Sequence, residues 1–471
     1  MNWLNRRIVI LGMARQGLAL ARYLAAHRAW VTLSDMKPAS ALAAEMTTLS
    51  DAQSEGAITF ALGGHPLTLL DDCDMLCLSG GVPIDMPIVI AARRRGIPIS
   101  NDSQIFFEVC PAPILGITGS AGKTTTTTLA GEMLRAEYES GSSAKLQGET
   151  PIKVWVGGNI GNPLIADLAQ ISATDRVVME LSSFQLEQMT RSPHIACVTN
   201  ITPNHLDRHG TMEAYIAAKS NILKYQTADD WAVLCADNPA AATLTTAART
   251  VFYTLGNEPD ADGAWRDANG NLRIRISVLD MDATVCNTSD LLLMGDHNVL
   301  NVLAASTLSA LAGASVESMR TVATGFRGVP HRLQLVRELR GARYYDDSIA
   351  TAPERLMAAL RCFQRPVVLL CGGRDKHLPW AEAVELMAGS CRHVVLFGEM
   401  AGLVNAEIDR QGVAVQATTC RSLDQAVAVA SRVTQPGDVV LLSPGGTSFD
   451  EFKDFAERGD VFVQLVNQLG E

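Results

Sequence analysis

Long apolar runs are missing from this sequence. No stretch approaches the roughly 18–20 residues that a membrane-crossing helix needs, so no membrane partner is expected. The run 8–14, behind Arg6 and Arg7, is too short for a secretory leader and meets Arg15 and Gln16 without a small-residue cleavage site. Closely paired cysteines are missing as well: the ten are scattered, and none forms a Cys-x-x-Cys motif. Such thiols read as reduced core fillers in a cytoplasmic protein. Basic charge is scarce, with 39 Lys plus Arg against 50 Asp plus Glu and a net charge of −11. An acidic surface repels a phosphate backbone. That argues against a nucleic-acid partner and leaves open a local basic pocket for a small phosphorylated ligand.

Core material is plentiful. Over 471 residues, 47% are hydrophobic and 19% charged, which at roughly 100–200 residues per domain gives two to four globular units. Short β-rich runs alternate with helical patterns, as in α/β units around mainly parallel sheets. Strands are predicted at 7–11, 30–34, 75–78, 114–117, 177–181, 195–199, 231–235, 367–370, 394–397 and 439–442, with helices at 16–26 and 298–311. Breaks are predicted at 110–113, where two prolines precede a strand, and at 325–330. The expected organisation is three domains, 1–112, 113–328 and 329–471, with the polar stretch 137–153 as a surface loop.

The most informative segment, 114–126, reads Ile-Leu-Gly-Ile-Thr-Gly-Ser-Ala-Gly-Lys-Thr-Thr-Thr. A strand enters a loop containing Gly116, Gly119, Ser120, Ala121 and Gly122, after which Lys123, Thr124 and Thr125 open a helix. Glycines let backbone N–H groups curl around a polyphosphate, and the helix start adds its positive end. Lys123 is placed to reach the outer phosphates, and the Thr124 hydroxyl suits Mg²⁺. Ile117 stands where the standard P-loop has its first glycine. The pattern predicts nucleoside triphosphate binding. Farther on, Glu180 ends a predicted buried strand, a place for a metal ligand or for a capping or surface acid. His205 and His209 have a spacing zinc accepts, but no further ligands cluster around them.

The string Gly116-Ile-Thr-Gly-Ser-Ala-Gly-Lys-Thr124 resembles the ATP loop of the Mur ligases, ATP-dependent amide-forming enzymes of peptidoglycan precursor synthesis. The likeness extends along essentially the whole chain. It implies a Rossmann-like N-terminal domain for a UDP-sugar precursor, a central P-loop ATPase domain and a Rossmann-like C-terminal domain for the incoming amino acid. The string Glu180-Leu-Ser-Ser-Phe-Gln185 resembles the glutamate-adding branch, which implies UDP-N-acetylmuramoyl-L-alanine, D-glutamate and ATP as substrates. A cytoplasmic monomer is expected. By the same resemblance Lys123, Glu180, His205 and Lys219 are catalytic, and two Mg²⁺ ions are held by Thr124, Glu180, His205 and Lys219. Lys219 would act as a CO₂-derived carbamate, since two Mg²⁺ beside a triphosphate oppose a free ammonium. Asp207 and Arg208 are implied supports, Asn204 stands where an acid is usual, and Asn159 is placed at the substrate side. Asn298 and Asn301 are implied adenine contacts, although Asp296 or Asn298 also suits a helix cap. Arg332 is implied to reach the nucleotide and Asp347 its ribose.

In the last domain the resemblance places Thr351, Lys376, Ser448 and Phe455 around the amino acid, with Ser448 also suited to starting a helix. Ile349 replaces the family's lysine, and Ala352-Pro353 its asparagine. In the first domain Gly12, Ala14, Arg15, Asp35, Met36, Ser79 and Gly80 are implied contacts to the UDP precursor. Three other readings stay open. Ile349 keeps L-glutamate alive as substrate. Gly12 to Gly17 with Asp35 resembles a dinucleotide fingerprint and suggests an NAD-dependent oxidoreductase, which leaves Lys123, Glu180 and His205 without a role. A regulatory P-loop NTPase would hydrolyse nucleotide with no amino-acid substrate.

Overall fold

The computed structural model describes residues 2–50, 56–139, 151–293, 295–376 and 378–470, with the Asp207 side chain outside the described residues. The first sheet runs in the order β3-β2-β1-β4-β5, all parallel, from Arg7–Leu11 (β1), Trp30–Asp35 (β2), Ile58–Leu62 (β3), Met75–Leu78 (β4) and Ile99–Ser100 (β5). The second is built from Ile114–Thr118 (β6), Val154–Gly158 (β7), Arg176–Glu180 (β8), Ile195–Val198 (β9), Trp231–Cys235 (β10), Arg249–Thr254 (β11), Gly263–Arg266 (β12), Asn271–Ile276 (β13) and Met281–Asn287 (β14). Its order is β14-β13-β12-β11-β10-β9-β6-β8-β7, parallel from β7 to β12 and antiparallel over β12-β13-β14.

The third sheet holds Gln334–Leu339 (β15), Ala342–Asp346 (β16), Val367–Gly372 (β17), Cys391–Phe397 (β18), Gln416–Thr419 (β19) and Val439–Gly445 (β20). Its order is β15-β16-β20-β17-β18-β19, with only the β15–β16 pair antiparallel. Strands β6, β17 and β20 are buried at every position, which is why they read as continuous apolar runs. Strand β13, Asn-Leu-Arg-Ile-Arg-Ile, alternates partly exposed with buried residues, as a half-covered antiparallel strand should.

The α/β architecture has three sheet-centred domains, but the chain separates into two compact units, 1–326 and 327–471. The reason lies in the core. Buried residues from Trp3 through Ile114 to Ala323 form one continuous cluster shared by the first two sheets. The third sheet has a core of its own on each face, Leu369 and Leu441 on one side and Leu370 and Phe462 on the other. In the polar stretch 137–153, residues 140–150 lie outside the described residues. Glu137 corrects the loop reading, because it belongs to the helix Lys123–Tyr138 and its carboxylate accepts from Ser315 N at 2.9 Å. No helix among the described residues is long and apolar enough to cross a membrane.

The sheets fix where ligands go. The order in which strands are added reverses at β1/β4, at β6/β8 and at β17/β20, and open α/β sheets bind ligands at the carboxyl ends of strands at such points. Those ends carry Gly12 and Ser79, the loop 119–122 with Glu180, and the loops after Gly372 and Gly445.

Candidate active site

The loop between β6 and the helix Lys123–Tyr138 is tied into shape by its neighbours. Ser120 N donates to Asn200 O at 2.8 Å and Ala121 N to Asn200 Oδ1 at 2.9 Å, while Thr199 Oγ1 donates to Ala121 O at 2.7 Å. Gly122 has φ +81°, which favours glycine, and a Cβ there would collide with Asn301 Oδ1. Both lysines turn to one carbonyl: Lys123 Nζ donates to Gly119 O at 3.0 Å and Lys219 Nζ to the same oxygen at 2.8 Å. Lys219 is 2% exposed, against the usual solvated helix lysine. Burial first, then the Lys123 charge, hold its pKa down at about 7, with Glu180 opposing.

Glu180, at the end of β8 and 2% exposed, forms the acidic wall. Thr124 Oγ1 donates to its Oε2 at 2.8 Å and Asn159 Nδ2 to its Oε1 at 2.7 Å. The Asn159 backbone N–H also bonds the Glu180 carbonyl at 2.9 Å, so the two loops cannot shift independently. A buried carboxylate beside a hydroxyl under a phosphate loop is an all-oxygen donor set, the kind a hard cation such as Mg²⁺ prefers. No group of three or more His, Cys, Asp or Glu suited to a metal occurs among the described residues. An ion held at Thr124 and Glu180 would need further oxygen donors from phosphate and water, which suits Mg²⁺.

His205 has φ +53° and leads into the short helix Leu206–His209. Its ring meets Phe184 edge-on at 5.2 Å, whereas His209 stacks on Phe184 at 5.3 Å, bonds Ser183 Oγ at 3.0 Å and pairs with Glu187 at 3.1 Å. His209 is thus committed to packing, and the two imidazoles are not a zinc pair. Arg208 lies over the Phe184 ring at 3.9 Å and donates to Val82 O at 2.8 Å.

A cavity of about 310 Å³ opens beside the loop, lined by Ala121, Gly122, Asn200, Asp237, Asn238, Tyr253, His297, Leu300 and Asn301 among others. Asn301 is buried, accepts from Thr126 Oγ1 at 3.3 Å and donates to Asn298 Oδ1 at 3.2 Å. Neither Asp296 nor Asn298 caps the helix Asp296–Leu311. Its cap position is Gly295, and Asp296 pairs with Arg266 at 2.7 Å.

In the first domain Asp35 accepts from Met13 N and from Lys37 N, each at 2.9 Å. Gly12 has φ +94°, and a Cβ there would press on Ser79 Cβ, so the β1 and β4 loops meet only through glycine. Gly80 N bonds Gln16 at 3.3 Å, and Met36 stands 61% exposed. Arg15, in the helix that follows Ala14, donates to Gly161 O at 3.1 Å, joining the first domain to the Asn159 loop.

In the second unit Asp347 is buried, bonded by Ser443 Oγ at 2.8 Å and Leu333 N at 3.2 Å. Burial raises its pKa to about 7 against those bonds and the charge of Arg332. Lys376 Nζ donates to Thr351 Oγ1 at 3.1 Å, bringing those two together. Ser448 is buried and starts no helix. The last helix, Phe455–Gln468, is capped by Asp454, with Phe455 partly exposed at its first position.

Three family models match in chain order: the Mur ligase MurD-like N-terminal domain over 6–101, the Mur ligase middle domain over 117–309, and the Mur ligase glutamate ligase domain over 331–446. The UDP-N-acetylmuramoylalanine–D-glutamate ligase of Symbiobacterium thermophilum is 40% identical over 471 residues, 99% of each chain. The chain belongs to the Mur ligase family. The ligase of the same name from Acetivibrio thermocellus is 37% identical over 99% of this chain and 97% of its own. Among solved structures, a pseudomurein peptide ligase from Methanothermus fervidus (16% identical, TM-score 0.50, 99% of this chain and 100% of that one) shares the fold. So does MurC from Thermotoga maritima (19% identical, TM-score 0.50, 98% and 99%).

Some residues that brace these loops, in each of the two units, carry no local sequence signal. Asp237 and Asn238 follow β10, where the rule about strand ends points, and they brace the cavity rather than merely line it. Asp237 accepts from Thr254 Oγ1 and Leu255 N, each at 2.7 Å, and Asn238 Oδ1 from Ile201 N at 3.0 Å. Arg458 is fully buried and sews two loops together, with Nε to Ser348 Oγ at 3.0 Å, NH2 to Ser348 O at 2.8 Å and NH1 to Gly446 O at 3.2 Å.

Proposed function

We propose that this Mur ligase joins D-glutamate to UDP-N-acetylmuramoyl-L-alanine at the expense of ATP, in peptidoglycan precursor synthesis. The observation that carries the reading is the meeting of Thr124, Glu180 and Asn159 beneath a loop whose Gly119 carbonyl holds both Lys123 and Lys219. The precursor carboxylate attacks the γ-phosphorus of ATP, the bond to ADP breaks, and an acyl phosphate remains. The deprotonated amine of glutamate then adds to the carbonyl carbon, phosphate leaves, and an amide is formed.

Lys123 neutralises charge that builds on the transferred phosphoryl group, and the loop and Asn159 hold the reactants in place. Thr124 and Glu180 would hold one Mg²⁺ and His205 and Lys219 a second; such ions would supply charge neutralisation and phosphoryl polarisation. An ammonium at Lys219 is no ligand. Its confinement in a site that presses toward the neutral amine supports capture of CO₂ as a carbamate, which supplies the missing carboxylate. The cavity beside Gly122 takes the adenine, and the Gly12–Ser79 crevice takes the uridine diphosphate.

The test is a coupled ADP assay on purified enzyme with ATP, the UDP precursor and each glutamate enantiomer. ADP and phosphate should accumulate in equal amounts only when all three substrates are present, and faster with D-glutamate. Ile349 favours testing L-glutamate with equal care; faster turnover with it would reverse the choice of enantiomer. ATP hydrolysis indifferent to both other substrates would overturn the ligase reading.

A further inference from the structure

The cations around Thr351 are unequally matched by acids. Lys376 bonds Thr351 Oγ1 and forms no ion pair among the described residues. Arg355, in the first turn of the helix Pro353–Leu360 and four residues beyond Thr351, is exposed and has no side-chain hydrogen bond or ion pair among the described residues. The two charges feel each other: burial first, then Arg355, then Arg458, hold the Lys376 ammonium below its usual pKa, and no carboxylate offsets them. Arg458 is already occupied by Ser348 and Gly446. Position 349, on the same loop as Thr351, holds isoleucine and offers no charge.

Resting on the ligase reading above, we propose that Arg355 is a specificity residue of the amino-acid site, pairing with one carboxylate of a dicarboxylic amino acid while Lys376 pairs with the other. The charges balance. Glutamate with its amine deprotonated for attack carries two negative charges, and Lys376 and Arg355 carry two positive ones. A planar guanidinium also suits bidentate grip of a carboxylate, which rewards glutamate over an uncharged side chain of similar length.

The experiment measures steady-state kinetics for Arg355→Ala, Arg355→Lys and the double variant Arg355→Ala with Ile349→Lys, using D-glutamate and D-glutamine. Arg355→Ala should raise KM for D-glutamate on the order of 10- to 100-fold, as expected for a hydrogen-bonded charged contact. KM for ATP should shift less than about twofold, and the preference for glutamate over glutamine should collapse. Arg355→Lys, and the lysine introduced at 349, should each restore part of that preference. A D-glutamate KM unchanged in Arg355→Ala would overturn the proposal while leaving the ligase reading intact. Wild-type enzyme inert toward both glutamate enantiomers would overturn the ligase reading and this proposal with it.

Discussion

Replacing Glu180 by glutamine separates what this carboxylate does for the fold from what it does for chemistry. In the structure it accepts one hydrogen bond from Asn159 Nδ2 and one from Thr124 Oγ1. Glutamine can keep both by turning its oxygen to Asn159 and its amide to the Thr124 hydroxyl, which then accepts instead of donating. The loss of charge assistance costs about 1 kcal/mol, a fall in Tm of about 1–2 °C for the unit 1–326. Alanine is different. It removes the bond to the buried Thr124 hydroxyl at about 1–3 kcal/mol, while the exposed Asn159 can turn its amide to water, so Glu180→Ala should melt lower than Glu180→Gln. For catalysis both variants lose the carboxylate proposed to hold Mg²⁺, and kcat/KM should fall by about 10²–10⁴, since charge stabilisation by a bound ion is worth several kcal/mol. Paired melting curves and ADP-coupled kinetics decide the matter. Glu180→Gln within about threefold of wild-type turnover would refute the reasoning, whatever its stability.

Other outcomes follow from the same geometry. Gly122→Ala must adopt a left-handed conformation, at about 1–2 kcal/mol, and push Asn301 aside; calorimetric titration should show ATP affinity down at least about tenfold. Lys219→Ala should abolish turnover, with bicarbonate having no effect on the variant, while wild-type enzyme held in bicarbonate should show the added mass of CO₂ on that residue. Wild-type-like rates in Lys219→Ala would exclude the carbamate. Asp347 has its folded pKa raised to about 7, above its ordinary unfolded value of about 3.9. Its contribution to stability is therefore complete below about pH 4 and is lost as pH rises through about 7. The urea midpoint of wild type relative to Asp347→Asn should fall between about pH 4 and about pH 7, and parallel pH profiles would contradict this.

Much of the interior was legible in the sequence because parallel strands covered on both faces are apolar end to end. Strands β1, β4 and β10 fall at their predicted residues, since Ile, Val, Leu and Cys runs there are bounded by turn residues. The antiparallel extension β12-β13-β14 was not predicted. Its residues answer to surface pairing, with Arg273 against Asp282 at 2.5 Å and Arg275 paired with Glu258, so no apolar run marks it. In the site, Lys123, Thr124 and Glu180 were visible because their chemistry is bound to a local string. The burial of Lys219, the commitment of His209 to Phe184 and the bracing by Asp237 were not, because each depends on chain that is distant in sequence.

The cross-bonding of the loop 119–122 to Thr199 and Asn200 has a consequence for how the enzyme meets its nucleotide. A loop held by so many bonds of its own loses little conformational freedom on binding, so affinity rests on rigidity as much as on contacts. Substitutions at Thr199 or Asn200, neither charged, should weaken ATP binding by restoring motion to the loop. The same stiffness makes this loop a poor switch, so any regulation of the reaction has to act elsewhere in the chain.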